Sequence, residues 1–200
     1  MEESRNILLH CCCAPCAGGC VERLLAVYPE VGLYYSNSNL ATEEEYAKRL
    51  KYVRELGRLF NVRVWADPYD HNAWLEKCGA LSGEPEGGAR CRLCFEFSLC
   101  RTAAYAAAEG FAKFSTSLTV SPRKSGAVIF EVGTEFSGFE PWNFKKQDGY
   151  LRGARIAREH NFYRQNFCGC EFSLARRLLQ DASSCAATPP ACKSPESETE

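Results

Sequence analysis

The chain has 200 residues, 46% of them hydrophobic, and a formal net charge of −1. This composition can bury one core and predicts a single main domain, while the near-zero charge gives no sign of a general affinity for phosphate. No apolar run approaches the roughly 20 residues of a membrane span. The charged N-terminal residues also lack the apolar core of a secretory signal peptide, so the sequence predicts a cytoplasmic protein.

The chain contains 13 cysteines, far above ordinary usage. In a reducing compartment, clustered cysteines serve more often as metal ligands or redox groups than as disulfides. The cysteine content therefore predicts metal or redox chemistry.

The first predicted elements are a strand at Ile7 to His10, a helix from about Ala17 to Val27, and a strand at Val31 to Tyr35. Strand, helix, strand is the opening of a parallel α/β sheet. Between the first strand and the helix lies Cys11-Cys12-Cys13-Ala14-Pro15-Cys16. These thiols are expected at the mouth of the sheet, where the amides of a helix N-terminus stabilise thiolates.

Two cysteines of this turn, Cys12 and Cys13, are adjacent. Adjacent side chains in a turn are expected to point apart. These two thiols should therefore fit two neighbouring metal centres more easily than one small ion, and further ligands are needed elsewhere in the chain.

The middle of the chain continues the alternation of helices and strands. A capping box at residues 42–45 predicts a helix with apolar residues as far as Phe60, and residues 62–65 predict a third strand. The glycine-rich stretch Gly79 to Ala89 predicts a mobile loop. An alanine-rich helix from Cys94 to Glu109 is expected to follow.

The last part of the chain predicts a strand over residues 113–118, a weaker helix through about Phe136, and a helix from Asp148 to about His160. Residues 181–200 are rich in Ser, Pro, Ala and Glu, which predicts a disordered tail in which Cys185 and Cys192 have no structural role. The catalytic domain is therefore predicted to span residues 1–180.

A local excess of positive charge lies between Pro141 and Arg177, with eight Lys or Arg against three Asp or Glu. Interleaved aromatic residues suit a surface that tracks an RNA backbone and stacks an unpaired base. A solvated helix face with core aromatics is the alternative interpretation, and it would also explain the basic stripe of Arg152, Arg155 and Arg158. Tyr163 and Arg164 are the best candidates for substrate contact.

Three groups of cysteines emerge: the first turn, Cys91-x-x-Cys94 at a helix start, and Cys168-Gly169-Cys170, whose glycine lets the backbone curl round a shared ligand. A structural zinc site needs only four ligands, whereas an iron–sulfur cluster takes four cysteines and leaves others for a neighbouring metal. This grouping favours metal binding over inert packing. Inert packing is favoured for Cys20, Cys78 and Cys100.

Four segments carry these groups in order: Leu8-Leu9-His10-x-Cys12-Cys13-Ala14-Pro15-Cys16, Cys91-x-x-Cys94-Phe95, Phe144-Lys145-Lys146-x-Asp148-Gly149-Tyr150, and Tyr163-Arg164-Gln165-Asn166-x-Cys168-Gly169-Cys170. Together with Asn37-Ser38-Asn39 and Ser121-Pro122, they resemble the cobalamin-independent epoxyqueuosine reductases of the QueH type. The resemblance covers residues 7–172, nearly the whole predicted domain.

The resemblance implies reductive removal of the epoxide oxygen from epoxyqueuosine in the anticodon loop of tRNA, which yields queuosine. It implies a Rossmann-like parallel sheet of the adenine-nucleotide alpha-hydrolase type, with a cysteine-rich metal site at the carboxyl edge of the strands. It also implies a 4Fe–4S cluster beside a mononuclear iron, for which zinc is the alternative.

Six thiols would then supply four cluster ligands and two ligands for the lone metal: Cys12, Cys13, Cys91, Cys94, Cys168 and Cys170. Cys16 is a seventh candidate metal ligand, at a position where the family accepts a carboxylate. Cys11 is not counted among the candidate ligands. Asp148 is an oxygen ligand or a proton donor, unless it is only a helix N-cap.

The sequence shows no flavin or nicotinamide fingerprint, so electrons are expected from an external donor such as a ferredoxin or flavodoxin. In the expected mechanism, the cluster receives electrons singly and the adjacent iron polarises the epoxide C–O bond. Two other classes stay open at this point: a zinc-binding structural or adaptor protein, and a nucleotide-dependent tRNA-modifying enzyme of similar fold.

Overall fold

The structure is a computed structural model that describes the backbone of residues 6–186 and the side chains of residues 6–182. Its strands are β1 (Asn6–His10), β2 (Glu30–Tyr35), β3 (Arg63–Ala66) and β4 (Lys113–Thr116). They form one parallel sheet in the order β3-β2-β1-β4. The four strands predicted from the sequence are confirmed, except that a 3-10 helix replaces the expected end of β4 from Ser117 onward.

Seven helices occur in the described part of the chain: α1 (Ala14–Leu25), α2 (Glu43–Phe60), α3 (His71–Cys78), α4 (Ala89–Ala108), α5 (Gly126–Gly133), α6 (Gly149–Glu159) and α7 (Glu171–Ala186). The predicted cap of α2 is present, because Thr42 Oγ1 accepts a hydrogen bond from the Glu45 amide at 3.2 Å. Within the described residues, none of these helices is long and apolar enough to cross a membrane.

Helix α7 extends past residue 180, the predicted end of the domain. It continues to Ala186 and so includes the first residues of the segment that was expected to be a disordered tail. Alanine and serine in this stretch permit a helix to continue once its earlier turns are packed. Residues 187–200, with Cys192, lie outside the described residues, as does the side chain of Cys185.

The predicted loop between α3 and α4 has more structure than its glycines indicate. It begins with a 3-10 helix over Gly79–Leu81. The buried Arg90 donates hydrogen bonds from Nη1 to the carbonyl oxygens of Ser82 at 2.9 Å and Glu84 at 2.6 Å, and its guanidinium lies over the ring of Phe172. Arg90 therefore fastens this loop to α7.

Helices cover both faces of the sheet. Ile7 and Leu9 of β1 pack into the cluster formed with α1, α2 and α6, whereas Leu8 packs into the cluster formed with α4 and α5. This alternation follows from the two-residue period of a strand. Because both faces are buried, β1 is apolar without interruption over these three residues.

Helices α1 and α6 approach each other closely through glycines. A Cβ atom at Gly153 would overlap the carbonyl oxygen of Pro15, and a Cβ at Gly19 would lie 2.5 Å from the carbonyl oxygen of Gly149. The backbone of α6 therefore rests directly on the N-terminal part of α1, where the cysteine turn ends.

The strand order leaves a crevice at the carboxyl end of β1. The chain passes from β1 to β2 and β3 on one side, and β4 then pairs with the other side of β1. In open α/β sheets, ligands bind where the connections diverge in this way. The cysteine turn follows β1 directly and lies at this crevice.

The glycine contact between α1 and α6 can be tested by substitution. We expect Gly153→Ala to lower the free energy of unfolding by about 1 to 3 kcal/mol, because the added methyl group displaces α6 from Pro15. The matched control is Gly126→Ala at the start of α5, where an added Cβ meets no described atom within 4 Å. Chemical denaturation of the two variants should show a lower midpoint for Gly153→Ala alone, and equal midpoints would contradict the close approach.

Candidate metal centre

The backbone of the cysteine turn is fixed from both neighbouring strands. The amide of Cys11 donates to the Tyr34 carbonyl at 2.8 Å, and the Cys11 carbonyl accepts from Asn37 Nδ2 at 2.8 Å. The amide of Cys12 donates to Ser117 Oγ at 3.1 Å. The turn is therefore held by the end of β2, by the loop after β2 and by the segment after β4.

His10 links the same three strands at their carboxyl ends. Its Nε2 lies 3.0 Å from the Ser36 carbonyl oxygen, which can only accept, so Nε2 carries the proton. Nδ1 then accepts from Thr116 Oγ1 at 2.9 Å. Burial lowers the pKa of His10 despite the opposing effect of Cys12, so the ring is a neutral structural link beneath the cysteine turn.

Cys12, Cys13 and Cys16 form a compact group of thiols. Their sulfur atoms all lie within 4.8 Å of one another, and those of Cys12 and Cys13 are 3.9 Å apart. The expectation that these two side chains point apart is wrong, because Cys13 is the extended N-cap of α1 and the chain turns there. A tetrahedral metal with bonds of about 2.3 Å to sulfur separates two sulfurs by about 3.8 Å, so the group fits one ion.

The three thiols share their protons unequally. Hydrogen bonds from Cys12 and Cys16 lower the pKa of Cys13 well below its ordinary value, and Gln165 Nε2 also donates to its sulfur at 3.1 Å. The same hydrogen bond to Cys13 raises the pKa of Cys12, and the bonds to Cys12 and Cys13 raise the pKa of Cys16. A bound cation would ionise all three thiols, since metal ligation requires thiolates.

A cavity of about 300 Å³ lies above this turn. Six motif cysteines line it: Cys12, Cys16, Cys91, Cys94, Cys168 and Cys170. Cys13 is not among the lining residues, but its sulfur lies 3.9 Å from that of Cys12. The structure thus brings all three cysteine motifs together around one space.

The four cysteines from α4 and from the segment before α7 are spread more widely. Among the described residues, only the first group has three potential ligand atoms within 4.8 Å of one another. Cys91 and Cys94 lie one turn apart on α4, and the Gly87 amide donates to the Cys91 sulfur at 3.2 Å. Burial raises the pKa of Cys94, and the neighbouring Cys168 adds to the shift.

Gly169 allows Cys168 and Cys170 to face the same cavity. Its φ of +139° belongs to a region that disfavours other residues, and a Cβ there would overlap the side chain of Leu40. Its carbonyl accepts from the Ala41 amide at 3.0 Å. The predicted curl of the backbone at this glycine is confirmed.

Two cations at the cavity were not identified from the sequence. Arg49 is 3% exposed, and its Nε and Nη1 donate to Glu45 at 2.7 Å and to the Cys168 carbonyl at 3.0 Å. Burial acts to lower the pKa of Arg49, but attraction to Cys13 and Glu45 outweighs it and raises the pKa. Attraction to Cys168, above all, raises the pKa of Lys124, so both side chains stay positive beside the thiols.

A signal for Arg49 was present in the sequence. Arg49 follows Tyr46 by three residues and precedes Val53 by four, so it lies on the apolar face of α2. A charged residue on such a face is buried only when it is paired or functional. For Lys124 the local sequence gives no comparable indication.

Asp148 does not lie at the cavity. It occupies the N-cap position of α6 with a φ of 57°, its side chain is exposed, and it forms no capping hydrogen bond with the described residues. The basic stripe on the same helix is partly neutralised, because Arg152 and Arg155 lie 3.6 and 3.9 Å from the Glu22 carboxylate.

Tyr163 and Arg164 lie beside the cavity without lining it, whereas residues 165–167 do line it. The Tyr163 hydroxyl donates to the Glu45 carboxylate at 3.2 Å. Arg164 is exposed, and its Nη2 donates to the Tyr150 hydroxyl, which is at the cavity rim, at 3.4 Å. Arg164 therefore contacts a residue that lines the cavity, whereas Tyr163 contacts Glu45, which in turn binds the cavity residue Arg49.

Comparison with known proteins gives a consistent result. A family model described as epoxyqueuosine reductase QueH matches residues 7–176. The chain is 35% identical to the epoxyqueuosine reductase QueH of Streptococcus pyogenes serotype M1, over 84% of this chain and 70% of that protein. It is 34% identical to the protein of that name from Staphylococcus aureus, over 84% and 75%, and 33% identical to the one from Thermotoga maritima, over 88% and 94%.

The position of Gly169 between two cavity cysteines can be tested through metal content. Gly169→Ala should reduce the metal bound per polypeptide after anaerobic reconstitution, because its Cβ would displace Cys168 and Cys170. The control is Gly83→Ala, where an added Cβ meets no described atom within 4 Å. Equal metal content in both variants would show that the curl at Gly169 is not required.

Proposed function

The chain belongs to the QueH family of epoxyqueuosine reductases, and from this premise we propose how its cavity performs the family's reaction. The enzyme removes the epoxide oxygen of epoxyqueuosine reductively, and its substrate is tRNA. The family match decides against the adaptor protein and the nucleotide-dependent enzyme. The observation that carries our proposal is that three cysteine motifs, far apart in sequence, surround one cavity.

We propose that Cys12, Cys13 and Cys16 hold the mononuclear metal. Their sulfurs are close enough for one tetrahedral ion, and three ligands leave a position open for an oxygen of the substrate. Three thiolates favour iron or zinc over metals that prefer oxygen ligands, and we assign iron. This assignment gives Cys16 the role of a ligand and leaves Cys11, whose thiol is buried in the core, without one.

The remaining four thiols then form the second proposed site. Cys91, Cys94, Cys168 and Cys170 line the same cavity but do not converge on a single point, as ligands of one ion would. A 4Fe–4S cluster takes four cysteines at its corners, which suits this wider set. A reducing, cytoplasmic location would keep these thiols free for such a cluster.

The reaction sets the chemical requirements of the site. Opening the epoxide to an alkene consumes two electrons and two protons and releases the oxygen as water. When bound, the cluster supplies electrons one at a time and the iron polarises the C–O bond. The positive charges of Arg49 and Lys124 offset the charge of the thiolates in this buried space. A ferredoxin or flavodoxin is the proposed electron donor.

The supporting residues have proposed roles as well. Tyr163 orients Glu45 and thereby Arg49, while Arg164 orients Tyr150 at the rim. A role for Asp148 as ligand or proton donor stays a prediction. The sheet is proposed to be of the adenine-nucleotide alpha-hydrolase type, with the metal site in place of its nucleotide; the strand order and the crevice beside β1 support this.

We propose that the anticodon loop enters at the rim formed by Arg123, Lys124 and Tyr150, all of which line the cavity. Tyr150 is 43% exposed, as a stacking platform for an unpaired base must be. Arg123 is exposed as well and can meet the RNA backbone.

The two metal sites predict different effects of cysteine substitutions. Cys16→Ala should lose the single metal ion and keep the sulfide content, whereas Cys94→Ser should reduce both iron and sulfide. Cys16→Asp should retain the single metal and some activity, because iron accepts a carboxylate. Anaerobic iron and sulfide analysis, with the absorbance spectrum, measures each outcome. The control is Cys100→Ser, at an exposed position of α4. A full iron content in Cys16→Ala would refute the proposed mononuclear site.

The proposed RNA entrance predicts a salt-dependent effect. Arg123→Ala should weaken tRNA binding and reduce the slope of log affinity against log salt by about 0.7, because one phosphate contact is lost. Arg155→Ala is the matched control, since Arg155 lies close to Glu22 and Glu159. The measurement is tRNA binding at several salt concentrations. The same slope of log affinity against log salt in the two variants would contradict the proposed entrance.

A further inference from the structure

The exposed side of α2 carries a row of positive charge that the proposed function does not use. From Tyr46 to Phe60 the chain has five Lys or Arg against one acidic residue, Glu55. Arg49 is buried, whereas the other four basic side chains are exposed. These four, which we call the α2 stripe, are Lys48, Lys51, Arg54 and Arg58. They follow one another at steps of three, three and four residues, so they lie along one side of the helix.

The α2 stripe is not neutralised by the part of the protein that the structure describes. None of its four side chains forms an ion pair there, and Glu55, which is half-buried on the same side of α2, forms none with them. The arginines of α6 differ in this respect, because Arg152 and Arg155 lie near the Glu22 carboxylate. Like charges on neighbouring turns destabilise a helix, and a bound polyanion would offset this repulsion.

The stripe begins beside residues that lead to the cavity rim. Lys48 Nζ lies 3.7 Å from the centre of the Tyr163 ring. The next residue after Tyr163, the exposed Arg164, donates to the hydroxyl of Tyr150 at the rim. A basic surface therefore runs from the rim past Arg164 to Lys48 and then along α2.

The other end of the stripe reaches a groove of about 380 Å³ between the last turns of α2 and the start of β3. Arg54 and Arg58 line this groove. Arg63 also lines it, but its guanidinium lies 4.6 Å from the centre of the Trp65 ring. Lys48 and Arg58 are separated by about 15 Å along the helix axis. This length exceeds what a single small anion can cover and suits an extended polyanion.

We propose that the α2 stripe binds the phosphate backbone of the anticodon stem of the tRNA while the anticodon loop enters the cavity. This inference rests on the proposed function, which brings the loop to the rim. Exposed Lys and Arg side chains bind backbone phosphates without reading the sequence. A double-stranded RNA stem is recognised mainly through its shape and its backbone. The stripe therefore positions the stem, and recognition of the modified base is left to the cavity.

Two other roles for the stripe make different predictions. Arg58 lies in the last turn of α2, where a positive charge also stabilises the carboxyl end of a helix. An acidic electron-donor protein would be attracted to the same charges. The length of the stripe and its continuity with the rim where the loop enters favour RNA.

The stripe can be tested with the reconstituted holoenzyme and two RNA probes. One is an anticodon stem–loop that contains epoxyqueuosine, and the other is the single-stranded loop alone. The variant carries Arg54→Gln and Arg58→Gln together. Its Kd and KM for the stem–loop should rise roughly three- to thirtyfold with kcat unchanged, because two exposed charge contacts are lost far from the cavity. The slope of log affinity against log salt should fall by about 1.4 to 1.8, and binding of the loop alone should not change.

The matched control carries Arg155→Gln and Lys77→Gln, which remove two positive charges that already lie near carboxylates. This control should bind the stem–loop as the parent does. An equal loss of affinity in the control would overturn the proposal, because net charge alone would then explain the effect. An equal loss of affinity for the loop alone would overturn the assignment to the stem.

Unchanged binding of the stem–loop by the stripe variant would also overturn the proposal. A lower midpoint of chemical denaturation would then assign the two arginines to the stability of α2, and slower reduction by a flavodoxin would assign them to the electron donor. Lack of turnover in the parent enzyme, with stem–loop binding intact, would instead count against the proposed function.

Discussion

The structure depends on the way the chain leaves β1, a central strand of the sheet. At that point the backbone of Cys11 and Cys12 is bound to Tyr34, Asn37 and Ser117, which belong to segments on both sides of β1. These bonds fix the direction in which the next thiols leave the sheet. A crevice at the carboxyl end of a parallel sheet is a general property of the fold, and here it is lined by thiols with the spacing of metal ligands.

A second constraint is electrostatic. Thiolates in a buried space are unfavourable unless positive charge lies nearby, and Arg49 and Lys124 supply it from different segments of the chain. Arg49 also connects the N-terminal half of the domain to its C-terminal segment, since it binds Glu45 on its own helix and the carbonyl of Cys168. Tyr163, through Glu45, completes this connection. Arg49 therefore balances the charge of the thiolates and also holds the C-terminal segment of the domain against α2.

The sequence was sufficient for the strands, for the main helices and for the three cysteine groups, because each depends on a local pattern. It was insufficient where a side chain's direction depends on distant contacts. The adjacency of the Cys12 and Cys13 sulfurs follows from the extended N-cap of α1, which no spacing rule indicates. The contact of Gln165 with Cys13 joins positions 152 residues apart. Helix α7 was not predicted at all, although only its last turns have the composition of a tail.

Residues near both ends of the described chain line the cavity, so the cavity forms only after both segments have been synthesised. The thiols after β1 are synthesised before the segment that carries Cys168 and Cys170, which lies far later in the chain. Until that segment has been made, the Cys13 sulfur lacks its hydrogen bond from Gln165, and Arg49 lacks its hydrogen bond to the Cys168 carbonyl. The complete set of cysteines around the cavity is therefore assembled only after Cys168 and Cys170 have been made.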